Sequence, residues 1–205
     1  MNSYSQNRED LFVLDYFKGF KGTLLEIGAN DGRTLSNSLL LIENGWNAYV
    51  LEPGSVCGDL FLLHKDNCKV HVFNYGIGER DEVVKFYESG THVSNGSDKG
   101  LVSSTHYNET LRWRKSGVQF TEREIQLVSF ENFYNSIENP VFDFISIDAE
   151  GHDWTILKHI DLKDVRCLVI EFNGDNELQA RFSIYCASYG LKLAIINNEN
   201  LIFVR

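Results

Sequence analysis

The chain has 205 residues, long enough to bury a substantial core and short enough to predict one domain over residues 1–205. Hydrophobic residues make up 43% of it and aromatic residues 13%, which excludes a disordered chain. With 19 Lys and Arg against 29 Asp and Glu the formal charge is -10, a balance that argues against unaided binding to nucleic acid or to anionic membranes.

The first residues have no apolar signal core, and no window reaches the apolar length of a membrane span, so the expectation is a cytoplasmic protein without one. Asn95-Gly-Ser and Asn108-Glu-Thr are formal glycosylation acceptors that carry little weight without a secretion signal. Cys57, Cys68, Cys167 and Cys186 lie far apart, with no Cys-x-x-Cys pair and no zinc spacing. Free, buried thiols are expected.

Residues 7–20 place apolar side chains at helical spacing, with Glu9 and Asp10 in the first turn. An apolar run at Thr23 to Ile27 then reads as a first strand, and Leu24 to Thr34 reads Leu-Leu-Glu-Ile-Gly-Ala-Asn-Asp-Gly-Arg-Thr. A buried parallel strand followed by two glycines is where backbone can press against a ligand. Gly28 and Gly32 give that room, and Asn30 and Asp31 are suited to cap a helix beginning near Arg33. The spacing is neither Gly-x-Gly-x-x-Gly nor a phosphate-binding Gly-x-x-x-x-Gly-Lys-Ser/Thr. Glu26 facing the ligand would repel a pyrophosphate but suit a cationic amino group, such as the methionine end of S-adenosylmethionine. The competing reading is a tight strand-to-helix turn with no ligand.

Leu35, Leu39, Leu40 and Ile42 predict a helical face ending near Gly45. Asn47 to Leu51 is a second strand ending in Glu52-Pro53, and after another helix Lys69 to Phe73 is a third, followed by Asn74-Tyr75. This β-α-β-α-β alternation implies parallel strands joined by right-handed crossovers, with ligands collecting at the strands' carboxyl ends. Glu52 stands about where an acid that accepts hydrogen bonds from a ribose is expected in such folds.

From about 88 to 123 the rhythm breaks. Ser89 to Ser104 is rich in Ser, Gly, Asn, Thr and His, and the next stretch joins Trp113 to Arg112, Arg114 and Lys115. A lid or substrate-facing insertion is expected, its Arg112 and Trp113 either holding an anionic group or forming a solvated helix face. Regularity returns with strands at Gln126 to Phe130, Phe142 to Ile147 and Cys167 to Phe172. Asp148-Ala-Glu150-Gly-His152-Asp153 follows the second of these. Leu191 to Ile196 and Leu201 to Val204 read as a closing antiparallel hairpin.

Four motifs carry a resemblance: Tyr-Ser-Gln-Asn-Arg-Glu-Asp at Tyr4 to Asp10, Glu-Ile-Gly-Ala-Asn-Asp-Gly at Glu26 to Gly32, Glu52-Pro53, and Ser-Ile-Asp-Ala-Glu-Gly-His-Asp at Ser146 to Asp153. In this order and spacing the chain resembles the FkbM family of class I S-adenosylmethionine-dependent methyltransferases, over nearly all its length except Glu88 to Arg123. The resemblance implies an α/β, Rossmann-like, doubly wound, mostly parallel seven-stranded sheet and methyl transfer, usually to a hydroxyl of a sugar, glycan or related small metabolite. It also implies that Glu26, Gly28, Asn30 and Gly32 hold the methionine part of the cofactor, Glu52 the ribose, and Asn74, Tyr75 and Gly76 the adenine edge. Asp148 would sit beside the reactive methyl group. Where many class I enzymes have a middle glycine in the first motif this chain has Asn30, as the FkbM pattern does.

A hydroxyl acceptor profits from a general base or from a metal that acidifies it. His152 is the leading base candidate, on the expectation that Asp148, Glu150 and Asp153 orient its ring and raise its basicity; a helix-capping role is the alternative. Asp148, Glu150 and His152 form a weaker alternative as a divalent-metal site, reachable if the backbone turns at Gly151. Tyr4 and Gln6 are candidates to fold over the pocket and touch the acceptor, against simple packing on the sheet. Two other functions stay open on sequence alone: a nicotinamide dinucleotide oxidoreductase on the same βαβ unit, and a non-catalytic cofactor-binding module.

Overall fold

The computed structural model describes residues 2–90 and 99–205. Asn95 and much of the Ser89 to Ser104 stretch therefore lie outside the described residues. The ordered elements begin with α1 (Glu9–Phe17), β1 (Thr23–Ile27), α2 (Leu39–Glu43), β2 (Asn47–Leu51), α3 (Cys57–His64) and β3 (Val70–Phe73). The middle of the chain supplies β4 (Gly76–Gly78), β5 (Glu82–Ser89), α4 (Tyr107–Arg114), β6 (Phe120–Ser129) and α5 (Phe130–Ser136). The last third is β7 (Phe144–Ile147), α6 (Asp153–Leu157), β8 (Cys167–Glu171), α7 (Asn176–Ser188), β9 (Lys192–Ile196) and β10 (Asn200–Val204).

Seven strands form one sheet in the order β3-β2-β1-β7-β8-β10-β9. The pairs from β3 through to β8 are parallel and β10 is antiparallel to both neighbours, so the expected mostly parallel sheet with a closing hairpin is what the chain builds. Strand alternation sorts the core onto two faces. Leu25, Ile27, Leu51, Ile145, Ile147, Leu168 and Ile170 pack with Phe133, Leu157 and Phe182. Leu24, Ala48, Val50, Phe144, Cys167 and Val169 pack with Val13, Phe17, Leu41 and Leu60. Helices therefore cover both faces, and the continuous apolar runs of the central strands follow from burial on both sides.

The described part of the irregular middle region holds more regular structure than its composition suggests. β5 and β6 pair antiparallel over eight residues, β4 adds to β6, and α4 sits between them in sequence. The N-terminal motif has a structural explanation. Asp10 is fully buried and accepts hydrogen bonds from Tyr4 N (2.7 Å), Ser3 Oγ (2.6 Å) and Ser5 Oγ (2.9 Å), while buried Glu9 accepts from Asn197 Nδ2 (2.6 Å) and Asn200 Nδ2 (3.0 Å). These bonds tie the first residues to the β9–β10 turn.

Three expectations are corrected. No helix starts near Arg33: Asp31 accepts the amides of Arg33 (2.8 Å) and Thr34 (2.6 Å), Leu35 has φ 56°, and Ser36 Oγ accepts from Leu39 N (3.0 Å). Such side-chain bonds compete with the helical ladder, and α2 begins only at Leu39, with Leu35 exposed. The strand foreseen from Gln126 begins at Phe120. Of the four thiols, which are all free, Cys68 is exposed.

Candidate active site

The carboxyl ends of β1, β2 and β7 are joined through their backbone. Gly28 N and Ala29 N donate to Leu51 O (3.0 and 2.9 Å), and Asp148 N donates to Ile27 O (3.0 Å). A Cβ added to Gly28, which has φ 86°, would lie 1.8 Å from Asp148 O, so glycine is needed there for the two loops to approach. Above these ends opens a cavity of about 290 Å³, lined among others by Glu26, Gly28, Asn30, Glu52, Asp148, Glu150 and His152. Gln6, Arg112 and Trp113 also line it.

Carboxylates dominate the floor. Glu52 is buried and accepts the amides of Asn30 (3.0 Å, Oε2) and Gly54 (2.7 Å, Oε1). Burial still pushes it up to about 7, against the lowering effect of those amides and with a small contribution from Glu88. Glu26 is likewise buried and accepts from Ser38 Oγ, and burial raises it to about 7. Asp148 faces the open space of the cavity but is surrounded closely enough that burial, followed by the charges of Asp153, Glu26 and Glu52, holds it above the usual carboxylate range. Asn30, at φ 51°, donates through Nδ2 to Lys99 O (2.9 Å), and its Oδ1 is buried without a hydrogen-bond partner.

Several site expectations do not fit the geometry. Gly32 is buried outside the cavity wall, and a Cβ there would meet Leu60 Cδ1 at 2.5 Å, so its missing side chain makes room for α3. Asn74 is exposed and donates to the carbonyls of Glu52 (2.9 Å), Pro53 and Gly54 (both 3.3 Å), shaping the loop that presents Glu52. Tyr75 packs against Phe73 and Phe133. Of the proposed adenine edge, Gly76 reaches the wall, joined by Ile77. Tyr4 points to α2, where its hydroxyl donates to Glu43 (2.9 Å).

His152 lines the cavity, but its surroundings are not those expected. Its Nε2 hydrogen-bonds Thr105 Oγ1 and its ring stacks on His106 with centroids 4.3 Å apart. Asp153, meant to orient it, accepts instead from the amides of Ala149 (2.9 Å) and Gly151 (3.2 Å). Burial and then His106 lower His152 to about 4, so its basicity falls where it was expected to rise. Nor does His152 close a triad with the acids. That place belongs to Glu171, which no spacing in the sequence marks: ligand-capable oxygens of Asp148, Glu150 and Glu171 all lie within 4.8 Å of one another. The register explains it, because Ile147 pairs with Ile170 and the next residue of each strand is an acid.

The insertion supplies the opposite wall. Tyr87 and Ser104 exchange backbone hydrogen bonds (2.8 and 3.2 Å), and Ser104 Oγ donates to Glu150 O (2.8 Å). Arg123 pairs with Glu88, which also accepts from Ser55 N (2.5 Å). Residues 100–105 thereby come against the acid loop. α4 contributes Arg112 and Trp113, with the guanidinium 4.7 Å from the indole centroid.

Among solved structures, the chain superposes with a putative RNA methyltransferase from Pyrococcus horikoshii at a TM-score of 0.50 and 10% identity, covering 97% of this chain and 82% of that one. It superposes with the METTL16 methyltransferase domain at the same TM-score and identity, over 96% of this chain and 65% of that one. At such identity the likeness is one of fold. No curated protein sequence matches. The sequence itself matches the description "Methyltransferase FkbM domain" over residues 26–189, a span from the first cavity carboxylate to the end of α7 that leaves the oxidoreductase alternative without support. The chain belongs to the FkbM methyltransferase family.

Proposed function

We propose that this protein moves the methyl group of S-adenosylmethionine to a hydroxyl of a sugar, glycan or related small metabolite. The residues present suit that cofactor. A cationic ligand is favoured by a floor that gathers Glu26, Glu52 and Asp148. Glu52 has each oxygen held by one amide, which leaves a lone pair on each for the hydroxyls of a ribose. The unpartnered Asn30 Oδ1 is an acceptor in the same wall. When bound, the cofactor supplies an electrophilic methyl group, and the protein's part is alignment of the acceptor and exclusion of water.

The observation that carries the acceptor assignment is the pairing of Trp113 and Arg112 on the wall contributed by α4. A guanidinium held over the indole suits hydroxyl or phosphate oxygens of such an acceptor. The formal charge of -10 favours a small acceptor over a polyanion.

Addition of S-adenosylhomocysteine at about 100 times its dissociation constant should stabilise the protein by about 3 kcal/mol, seen as a rise in melting temperature. Glu52→Ala should abolish the rise, and Glu52→Gln, which keeps the side chain's shape, should weaken it. No response of the wild type at millimolar ligand would overturn the reading. A screen of methyl transfer to nucleotide sugars and glycan fragments then separates an enzyme from a module that binds the cofactor without turnover.

A further inference from the structure

We propose that Asp148, Glu150 and Glu171 form a site for a hard divalent cation, of the Mg²⁺, Mn²⁺ or Ca²⁺ class, at the carboxyl edge of β7 and β8. Their oxygens lie within 4.8 Å of one another. Two oxygens on the same cation stand roughly 3–5 Å apart, given metal–oxygen distances of about 2.0–2.6 Å. An all-oxygen, carboxylate-rich set is the chemistry that selects such ions over zinc or copper.

The second observation is at Glu171 itself. Its side chain lines the cavity although the residue is only 8% exposed, and its Oε2 is buried with no hydrogen-bond partner. A desolvated carboxylate oxygen without a donor is costly and rarely retained without a purpose. Asn200, the partner of Glu171 across β8 and β10, has its donors committed elsewhere: its Nδ2 bonds Glu9, and its amide bonds Asn197 Oδ1 (2.6 Å). Arg112 provides a favourable field for Glu150 and Glu171, yet among the described residues no ion pair joins it to either acid. A cation between the three carboxylates would partner the orphaned oxygen and relieve the repulsion together.

Cation binding at these residues does not depend on the methyltransfer reading; only its use does. On that reading, a cation here binds the acceptor hydroxyl and lowers its pKa, which assigns to the acids the task that His152 is poorly placed to perform.

The test is titration of chelator-treated protein with Mn²⁺, followed by electron paramagnetic resonance of the free ion, with Ca²⁺ and Mg²⁺ as competitors. One site should appear in the roughly micromolar to millimolar range of carboxylate cation sites. Glu171→Gln, which preserves shape and removes a buried charge, should weaken it by more than the roughly tenfold that even residues behind metal ligands cost. The control Glu131→Gln, at an exposed acid of α5, should bind as the wild type does. Folding of each variant is checked by circular dichroism, and S-adenosylhomocysteine binding is measured in the same samples. Absence of Mn²⁺ binding up to about 10 mM, or equal binding by a folded Glu171→Gln, overturns the site. Mn²⁺ bound at one Glu171-dependent site supports it even if the nucleoside fails to bind, a result that would count against the methyltransfer reading alone.

Discussion

The imidazole of His152 is partly buried, its Nε2 hydrogen-bonds Thr105, its Nδ1 is buried without a partner, and its face lies on His106. A ring lowered to about 4 is already neutral at physiological pH, and its conjugate acid holds a proton too weakly for efficient abstraction from a hydroxyl. Its bond to Thr105 and its stacking on His106 link the residues before α4 to the loop after β7. His152→Ala should therefore cost about 1–2 kcal/mol of stability through lost packing and one hydrogen bond. It should lower kcat less than tenfold and leave the pH profile of kcat unchanged, whereas a general base is worth about a hundredfold or more. Turnover assays across pH, run beside urea denaturation, separate the two. A loss above a hundredfold with S-adenosylhomocysteine binding intact would restore the base assignment.

At the level of elements, Gly28 and Gly32 look equivalent in the sequence but do different things. The Gly28 position leaves no space for a side chain because the obstacle is the Asp148 carbonyl at 1.8 Å, which moves only if β1 or β7 moves. At Gly32 the obstacle is the end of Leu60, at 2.5 Å, which can turn away. Both have positive φ, 86° and 75°. Gly32→Ala should lose about 1–2 kcal/mol and keep cofactor binding. Gly28→Ala should lose more than that and bind S-adenosylhomocysteine poorly, because the strand ends that shape the cavity separate. Calorimetric titration of the two variants checks the order, and equal binding would show that the loops are not rigidly coupled. The same comparison marks what can be read in a sequence. Apolar runs such as Phe144-Ile145 and Cys167 to Ile170, and Leu24 to Ile27 apart from Glu26, announce buried parallel strands, and the hairpin at the end follows from its turn residues. The late start of α2 was hidden because Ser36 and Asp31 capture backbone amides whose helical partners the apolar spacing alone seemed to guarantee. Glu171 was hidden for another reason: a lone acid at a strand end has no spacing, and only the pairing of β7 with β8 sets it beside Asp148 and Glu150.

Across the whole molecule, the charge that suits the ligand weakens the fold that holds it. Glu26 and Glu52 are each raised from 4.5 to about 7, burial being the main cause. A carboxyl group whose folded value lies above its unfolded one binds more protons when folded. Its contribution to stability is therefore complete below about pH 4.5 and is lost as pH rises through about 7. The ligand-free protein should be less stable at pH 8 than at pH 5, with most of the decline between these values. Glu26→Gln, which keeps an acceptor for Ser38 and carries no charge, should flatten the decline and be more stable than the wild type at pH 8 by up to about 3 kcal/mol. S-adenosylmethionine, which carries a sulfonium as well as an ammonium charge, favours the ionised acids, so its stabilisation of the protein should grow from pH 5 to pH 8, in the direction opposite to that of the free protein. Urea denaturation at several pH values, with and without the nucleoside, measures both slopes. Stability of the free wild type that rises with pH across this window would mean that the two buried carboxylates are ionised and compensated within the fold, leaving cofactor affinity without the electrostatic source argued for it.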